Sequence, residues 1–351
     1  SLLDGLAKVD DLVAKAKELD MNSLALTDHG TLYGAVEFFQ KAKKAGIKPI
    51  IGCEMYLASG DMNNKTSAPD NKRYHITVLI KNKVGYKNLV QLITKAHLEG
   101  FYYKPRVDKN LLQKHSEGLI CLSGCRNSEI SQLLAADQIE KAADAAMEYQ
   151  NIFGIGNFFI EIQPHFTDSK NPDIFLKTAE LAKKTEIPLA ATNDVHYISK
   201  EDEDYHDVLL AIGTGSKVSD PNRLSVKGSN LSLKSAEEMA EFFKDFPEAI
   251  ENTEKIADAV DFEFELGTLQ FPHFDLPASP AGVPQGVTAE KYLEELSLKG
   301  FKERYGYDSP EQSTKELADR FWFELNIIQK TGFASYILIV WDIVNWAKSQ
   351  N

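Results

Sequence analysis

The stretch "PLAATNDVHY", residues 188–197, sets an aspartate and a histidine two positions apart, directly after a short apolar run. In extended backbone, positions i and i+2 project to the same side. Asp194 and His196 should therefore point together past the end of the strand Leu189-Ala190-Ala191. Other apolar runs carry comparable residues at what read as strand ends: Asp28 and His29 in "SLALTDHG", Cys53 and Glu54 in "IKPIIGCEMYLA", and Cys125 in "GLICLSGC". Nitrogen, oxygen and sulfur donors together suit zinc, manganese or iron. Clustered divalent ions lower the pKa of a bound water and clamp the oxygens of a phosphoester, so these residue types permit metal-assisted phosphoester hydrolysis. Taken singly, each has a plainer reading. A strand-end Asp or His is commonly a turn or cap residue. Cys125 and Cys121 read as small buried hydrophobes, and Cys53 turns toward the core, leaving Glu54 as the better ligand. His75 is an exception because it opens the run "HITVLI" instead of closing it. His97, His115, His206 and His273 lie on helical or loop stretches without a ligand partner nearby and are expected at the surface, while His165 is open between the two readings. On the residues alone, the metal and plain readings stand balanced.

The elements that must position these groups alternate. "SLALTDHG" precedes the amphipathic "AVEFFQKAKKAG", whose last glycine reads as a helix C-cap. "HITVLIKN" leads into "VGYKNLVQLITKAHLEG", "GLICLSGC" into a long helical stretch, and "NFFIEIQPH" into "DIFLKTAELAKKTE" and then "IPLAATNDVH". Six or seven βα units predict a mainly parallel sheet closed toward a barrel, with chemistry collected at the C-terminal ends of the strands. After residue 200 the character changes. "LKSAEEMAEFFKDFPEAIENTEKIADAV" predicts helices, with Ser235 and Glu238 forming a capping box. "GTLQFPHFDLPASPAGVPQG" predicts a linker, followed by a helical segment.

Composition narrows the class. The chain has 351 residues, 43% hydrophobic and 26% charged, which is globular and argues against disorder. No apolar run reaches the roughly 20 residues of a spanning helix; "SYILIVWDIVNWA" is interrupted by Asp342 and Asn345, so no membrane partner is expected. Three cysteines, an odd number, speak against a disulfide framework and for a reducing, cytoplasmic setting. With 39 basic against 52 acidic residues the net charge is −13, the wrong sign for a general duplex-binding surface. Any grip on nucleic acid must come from local basic patches or from residues outside the chain.

The stretch from "SLLDG" through "LALTDHGTLYGAVEFFQKAKKAGIKPIIGCEMYLA" resembles the start of the α subunits of bacterial DNA polymerase III, the polymerase-and-histidinol-phosphatase (PHP) domain. The resemblance continues through "HITVLIKNKVGYKNLVQLITKAHLEGFYYKPRVD", "GLICLSGC" and "ATNDVHY", and "TGFASYILIVWDIVNWAK" is similar to the family's early palm region, so essentially the whole chain is covered. It implies a distorted (β/α)7 barrel over residues 1–268, then a linker and a truncated, mostly helical beginning of the palm over 269–351. It also implies a metal set of Asp4, His29, Glu54, His75, Cys125, Asp194 and His196, with Asp28 and Asn193 orienting neighbouring ligands, and Lys104 and Arg106 as phosphate candidates or a solvated basic loop. The family usually carries a His-x-His pair just before the position of Ser1, which this chain lacks, and polymerase catalytic aspartates beyond its last residue. The fragment is therefore expected not to polymerise DNA. The implied function is that of the parent replicative polymerase: template-directed DNA synthesis with magnesium, primer-template and deoxynucleotides, in a replisome with a sliding clamp and a proofreading exonuclease. For the PHP domain itself, a metal-dependent 3′-to-5′ proofreading phosphoesterase and a metal-stabilised scaffold both fit. The alternatives are a freestanding phosphoesterase of the histidinol-phosphatase type, to which the tail after the linker is superfluous, and a non-catalytic binding module.

Overall fold

A computed structural model describes residues 4–66, 72–164, 173–268, 272–276 and 287–350. The chain divides into two units, Ser1–Phe264 and Glu265–Asn351. The first is organised by a curled seven-stranded sheet: β1 (Ser23–Leu26), β2 (Lys48–Ala58), β3 (Arg73–Ile80), β4 (Arg106–Val107), β5 (Leu119–Leu122), β6 (Phe158–Ile162) and β7 (Leu189–Ala191). The strand order is β1-β2-β3-β5-β6-β7, with β4 paired to β2. The helices before, among and after these strands are α1 (Val9–Glu18), α2 (Ala35–Ala45), α3 (Lys83–Leu98), α4 (Lys109–Lys114), α5 (Glu129–Ala135), α6 (Ile139–Phe153), α7 (Ile174–Thr185), α8 (Glu203–Gly213), α9 (Ala236–Phe242) and α10 (Pro247–Ala259).

Local chemistry sets several boundaries. Gly46 ends α2 in the left-handed conformation, φ 79°, with its N–H on the carbonyls of Ala42 and Lys43. Asn82 starts α3 by accepting from the amides of Val84 and Gly85, and the Ser235–Glu238 capping box starts α9 as the spacing predicts.

The expectation of a mainly parallel sheet holds for four of the six strand pairings, with β3 the exception. β3 runs antiparallel to both β2 and β5, while β1–β2, β2–β4, β5–β6 and β6–β7 are parallel. A parallel partner requires a crossover, usually a helix. Among the described residues between β2 and β3 there is none, so the chain turns back. The result is a mixed, half-barrel sheet whose path ends on β1 and β7.

Side-chain alternation gives the sheet two unlike faces. Cys53, Met55 and Leu57 of β2, Ile76, Val78 and Ile80 of β3 and Cys121 of β5 join the large core beneath the helices. Residues one position away turn inward. Ile50, Leu79, Ile120, Leu122, Phe159 and Ala190 form a smaller core, closed by Ile256, Ala257 and Val260 at the end of α10. Farther along the same strands and on the same face come Glu54, His75 and Glu161, so the apolar floor gives way to titratable groups.

The second unit contains α11 (Ala289–Tyr305), α12 (Lys315–Lys330) and α13 (Ala334–Ser349) around Leu293, Leu325, Ala334 and Leu338. No single helix among the described residues is long and apolar enough to cross a membrane; α12 and α13 reach that length only together and are bent by 111° at their break. The cysteines are all free.

Candidate metal centre

His29 occupies the middle of the cluster. Following β1, it forms a parallel bridge to Glu54, and Gly30 N–H donates to the Glu54 carbonyl at 2.9 Å. Its Nε2 lies 2.9 Å from Asp4 Oδ2, and its Nδ1 lies 3.6 Å from Glu54 Oε1. Glu54 sits within β2, not at its end as the sequence reading has it, because β2 continues to Ala58. The reversed β3 removes the difficulty with His75: a residue near the start of an antiparallel strand lies level with the ends of its parallel neighbours. The register pairs His75 with Tyr56 and Thr77 with Glu54, and His75 Nδ1 reaches Glu54 Oε1 at 2.5 Å. Cys125 Sγ, beyond β5, is 3.4 Å from His75 Nδ1 and 3.5 Å from Glu54 Oε1.

From β7, Asp194 adopts φ 49° and His196 Nδ1 donates to the Asp194 carbonyl at 2.8 Å, leaving Nε2 as the nitrogen with a free lone pair in that tautomer. The His196 ring centroid is 6.3 Å from that of His29. Two sets of donor atoms lie within 4.8 Å of one another, Asp4–His29–His196 and His29–Glu54–His75, and they share His29. Five of the seven expected residues fall in these triads; Cys125 adjoins them through His75 and Glu54, and Asp194 Oδ1 lies 3.6 Å from His196 Nδ1.

The electrostatics are those of an anionic cavity. Burial opposes the charged form of Asp4, but its bond to His29 and the nearby imidazoles hold its carboxyl at about 2. Burial likewise pushes Glu54 up, and the His75 bond with the His29 charge more than reverses this, so Glu54 stays low. Burial would lower His29, yet Asp4, Glu54 and Asp194 together raise it to about 9. Burial and the Glu54 charge raise Asp194. A proton on His29 between two carboxylates is the counter-charge that a cation would supply more fully. Mixed imidazole, carboxylate and thiol donors at this spacing fit a divalent ion.

A carboxylate overlooked in the sequence joins the flanking strands. Glu161 of β6 is 4% exposed. Its Oε2 accepts from Gly124 N–H at 3.0 Å, and its Oε1 accepts from Thr192 Oγ1 at 2.5 Å and Gln163 Nε2 at 2.8 Å. It therefore ties the exit of β5, which carries Cys125, to the exit of β7, which carries Asp194. Burial and the charges of Glu54 and Asp194 outweigh its bonds from Thr192 and Gly124 and raise it to about 7. The available signal was a charged residue inside the apolar run "FFIEI".

Other expectations change. Arg106 is fully buried, not a phosphate contact: its Nε donates to the Gly100 carbonyl at 3.1 Å and its Nη2 to those of Met62 and Asn64 at 2.7 and 3.0 Å. Lys104, by contrast, has its Nζ 5.4 Å from the centroid of Tyr56, whose ring stacks on His29 at 5.9 Å. Asp28 meets Glu54 through its backbone, its carbonyl accepting from Glu54 N–H at 3.1 Å. The Asn193 side chain bonds the Ser232 carbonyl at 2.5 Å and Lys234 Nζ at 2.8 Å, so it fastens the loop after β7 instead of orienting a ligand. His206 is not a surface residue: it is 1% exposed, donates from Nε2 to the Asp4 carbonyl at 2.8 Å, and packs its ring 5.4 Å from His196. His97 is half-buried, with Nε2 3.0 Å from the Gly30 carbonyl, and His115 faces Asn88 Oδ1 at 3.3 Å; His273 is exposed. His165 lies outside the described residues.

A family profile described as the PHP domain matches residues 1–165, and one described as the bacterial DNA polymerase III alpha NTPase domain matches residues 291–351. The chain is 42% identical over 350 residues to the DNA polymerase III subunit alpha of Borreliella burgdorferi, covering 99% of this chain and 29% of that protein. It is 41% identical over 352 residues to the same subunit of Treponema pallidum, covering 100% and 29% respectively. The chain thus spans under a third of the length of these relatives. Among solved structures, a putative metal-dependent phosphoesterase from Bifidobacterium adolescentis aligns with 11% identity and a TM-score of 0.35, over 69% of this chain and 92% of that one.

Proposed function

Because the chain belongs to the bacterial DNA polymerase III α subunit family, as its N-terminal region with the PHP domain and the start of the NTPase domain, we propose that its cluster is a divalent-metal centre acting on phosphoesters at the 3′ end of DNA. The observation that carries this reading is the pair of donor triads sharing His29. Asp4, His29 and His196 would hold one ion of zinc, manganese or iron, and Glu54 with His75 another, with Cys125 and Asp194 completing the set. Such ions supply an activated water and charge neutralisation for the displaced oxygen. The protein's own residues do the rest. The inner-face core beneath Glu54 and His75 keeps the cavity floor apolar. The His196 tautomer is fixed by the Asp194 carbonyl, which presents a neutral ring nitrogen. Lys104 offers a cation beside the Tyr56 ring for a phosphate. In the longer protein this activity would serve template-directed, magnesium-dependent DNA synthesis, with primer-template, deoxynucleotides, a sliding clamp and a proofreading exonuclease as partners in the cytoplasm. A scaffolding role has an observation in its favour too: Asp4, His29 and Glu54 already cross-brace separate chain segments, and an ion there would tighten them.

The test is metal content after dialysis, compared with Asp194→Ala/His196→Ala, together with release of the terminal nucleotide from a mismatched primer. Loss of most bound metal in the double variant is the expected result, and chelator-sensitive cleavage by the unaltered chain would favour the phosphoesterase over the scaffold. Unchanged metal content removes the assignment, and metal retention without cleavage leaves the scaffold.

A further inference from the structure

The segment between α3 and β4 runs alongside the centre and is pinned at both ends. On one side His97 Nε2 meets the Gly30 carbonyl at 3.0 Å, and a Cβ on Gly100 would stand 2.0 Å from the Arg106 carbonyl oxygen. On the other, Arg106 is buried on three carbonyls, and Pro105 packs so close to Gly30 that a Cβ there would lie 2.9 Å from its Cγ. Gly30 follows His29, so the loop's position is fixed with respect to the cluster. Between the anchors, Tyr102 and Lys104 form a tight bridge, with Tyr102 N–H on the Lys104 carbonyl at 3.1 Å. This turn forces Tyr103 to φ 59°. A non-glycine residue in that region costs about 1–2 kcal/mol, yet the ring so held is 75% exposed, and it meets Tyr102 edge-on and through a side-chain hydrogen bond. Phe101 is 49% exposed and lies 6.5 Å from the His97 ring; His97 and Leu98 line a shallow groove with Tyr33, itself 76% exposed.

Core packing explains none of these exposed rings. A fixed set of aromatic faces with one ammonium group is the chemistry that grips unpaired nucleotides: bases stack on the rings and a cation takes the phosphate. Duplex DNA offers no free base face along its length, and a chain of net charge −13 gives it little general attraction. We propose that Tyr103, Phe101 and Tyr33, with Lys104, form a stacking platform for the unpaired 3′-terminal nucleotides of a single strand, leading that end to the metal centre. This inference deepens the phosphoesterase reading and rests on it for the strand's destination.

The experiment is fluorescence anisotropy of labelled oligo(dT), and of a blunt duplex of equal length, with the whole chain in the presence of chelator so that cleavage plays no part. Tyr103→Ala should weaken oligo(dT) binding by about tenfold. Tyr103→Asn should do the same while tolerating the left-handed backbone, and Tyr103→Phe should stay within about twofold, because the ring face is kept. Lys104→Gln should reduce the salt slope of log K by about 0.7, the value for one phosphate on a single strand. Duplex binding should be weak and unchanged throughout. The platform is overturned if the unaltered chain shows no measurable oligo(dT) affinity, if Tyr103→Asn binds as the unaltered chain does, or if duplex binding falls in parallel. Metal content of the same proteins, measured in separate samples without chelator, separates the two ideas. Tyr103-dependent binding by a chain that takes up no metal defeats the phosphoesterase reading alone, and metal-dependent cleavage indifferent to Tyr103 defeats the platform alone.

Discussion

Replacing Glu161 by glutamine and by alanine separates the two things this carboxylate does. Its bonds to Gly124 N–H, Thr192 and Gln163 hold two ligand-bearing loops together, while its charge is unwelcome beside Glu54 and Asp194. A carboxyl moved from its ordinary 4.5 to about 7 bears a penalty of about 3 kcal/mol on the ionised form. The sign follows from the direction. Below about pH 4.5 the group is protonated in folded and unfolded chains alike and the penalty is absent; it grows as pH rises and is complete above about 7. Glutamine keeps an acceptor for Gly124 and never ionises. Glu161→Gln should therefore gain on the unaltered protein by about 3 kcal/mol between pH 4.5 and 7.5, and by little thereafter. Glu161→Ala leaves the buried Gly124 amide without its acceptor and opens a cavity, so it should lose about 2–5 kcal/mol at pH 5. Urea unfolding across that pH range, with chelator present so that no cation balances the carboxylates, reads both effects. Parallel stability curves for Glu161→Gln and the unaltered chain would refute the claim that a disfavoured charge is buried here.

Two further outcomes follow from charges outside the cluster. The guanidinium of Arg223 and the Ser225 hydroxyl hold Asp207 at about 2, so its contribution to stability is complete above about pH 4 and lost as pH falls through 2. After allowance for solvent screening this is about 1–2 kcal/mol, and the stability gap between the unaltered chain and Asp207→Asn should close over that window; a gap constant down to pH 2.5 would contradict it. Arg106→Met should cost about 3–5 kcal/mol by stripping donors from the Gly100, Met62 and Asn64 carbonyls, a loss visible as a lowered urea midpoint, and a midpoint within error of the unaltered chain would show that water replaces those bonds.

Legibility in the sequence followed locality. Asp194 and His196 could be placed together because alternation along a strand is a local rule, and the helix caps at Gly46 and Ser235 were equally local. The reversal of β3 was not legible because "HITVLI" looks the same in either sense; only the lack of a helical pattern in the sequence before it carried the information, and that signal also accounts for His75. Arg106 misled because a basic residue in a loop-like stretch normally meets solvent, whereas its carbonyl partners come from a segment some 40 residues earlier. His206 was unreadable for the same reason, since its acceptor is the Asp4 carbonyl, 202 positions away. Glu161 could have been found, because a carboxylate within an apolar strand must be satisfied by something.

The amides of Leu6 and Ala7 both donate to the His196 carbonyl, at 2.7 and 3.2 Å, so the earliest described part of the chain is sewn to one of the last residues of the cluster. On a ribosome this contact imposes a wait. Elongation at about 5–20 residues per second puts on the order of 10–40 s between the appearance of Asp4 and that of His196. Through that interval His29, Glu54 and His75 can already meet, because their strands are neighbours, while the His196 carbonyl that anchors Leu6 and Ala7 next to Asp4 has not yet been made. An ion captured by the early trio would be held half-coordinated until the remaining residues arrive. Uptake of metal during synthesis should therefore proceed in two stages, the second timed by translation and not by diffusion of the ion.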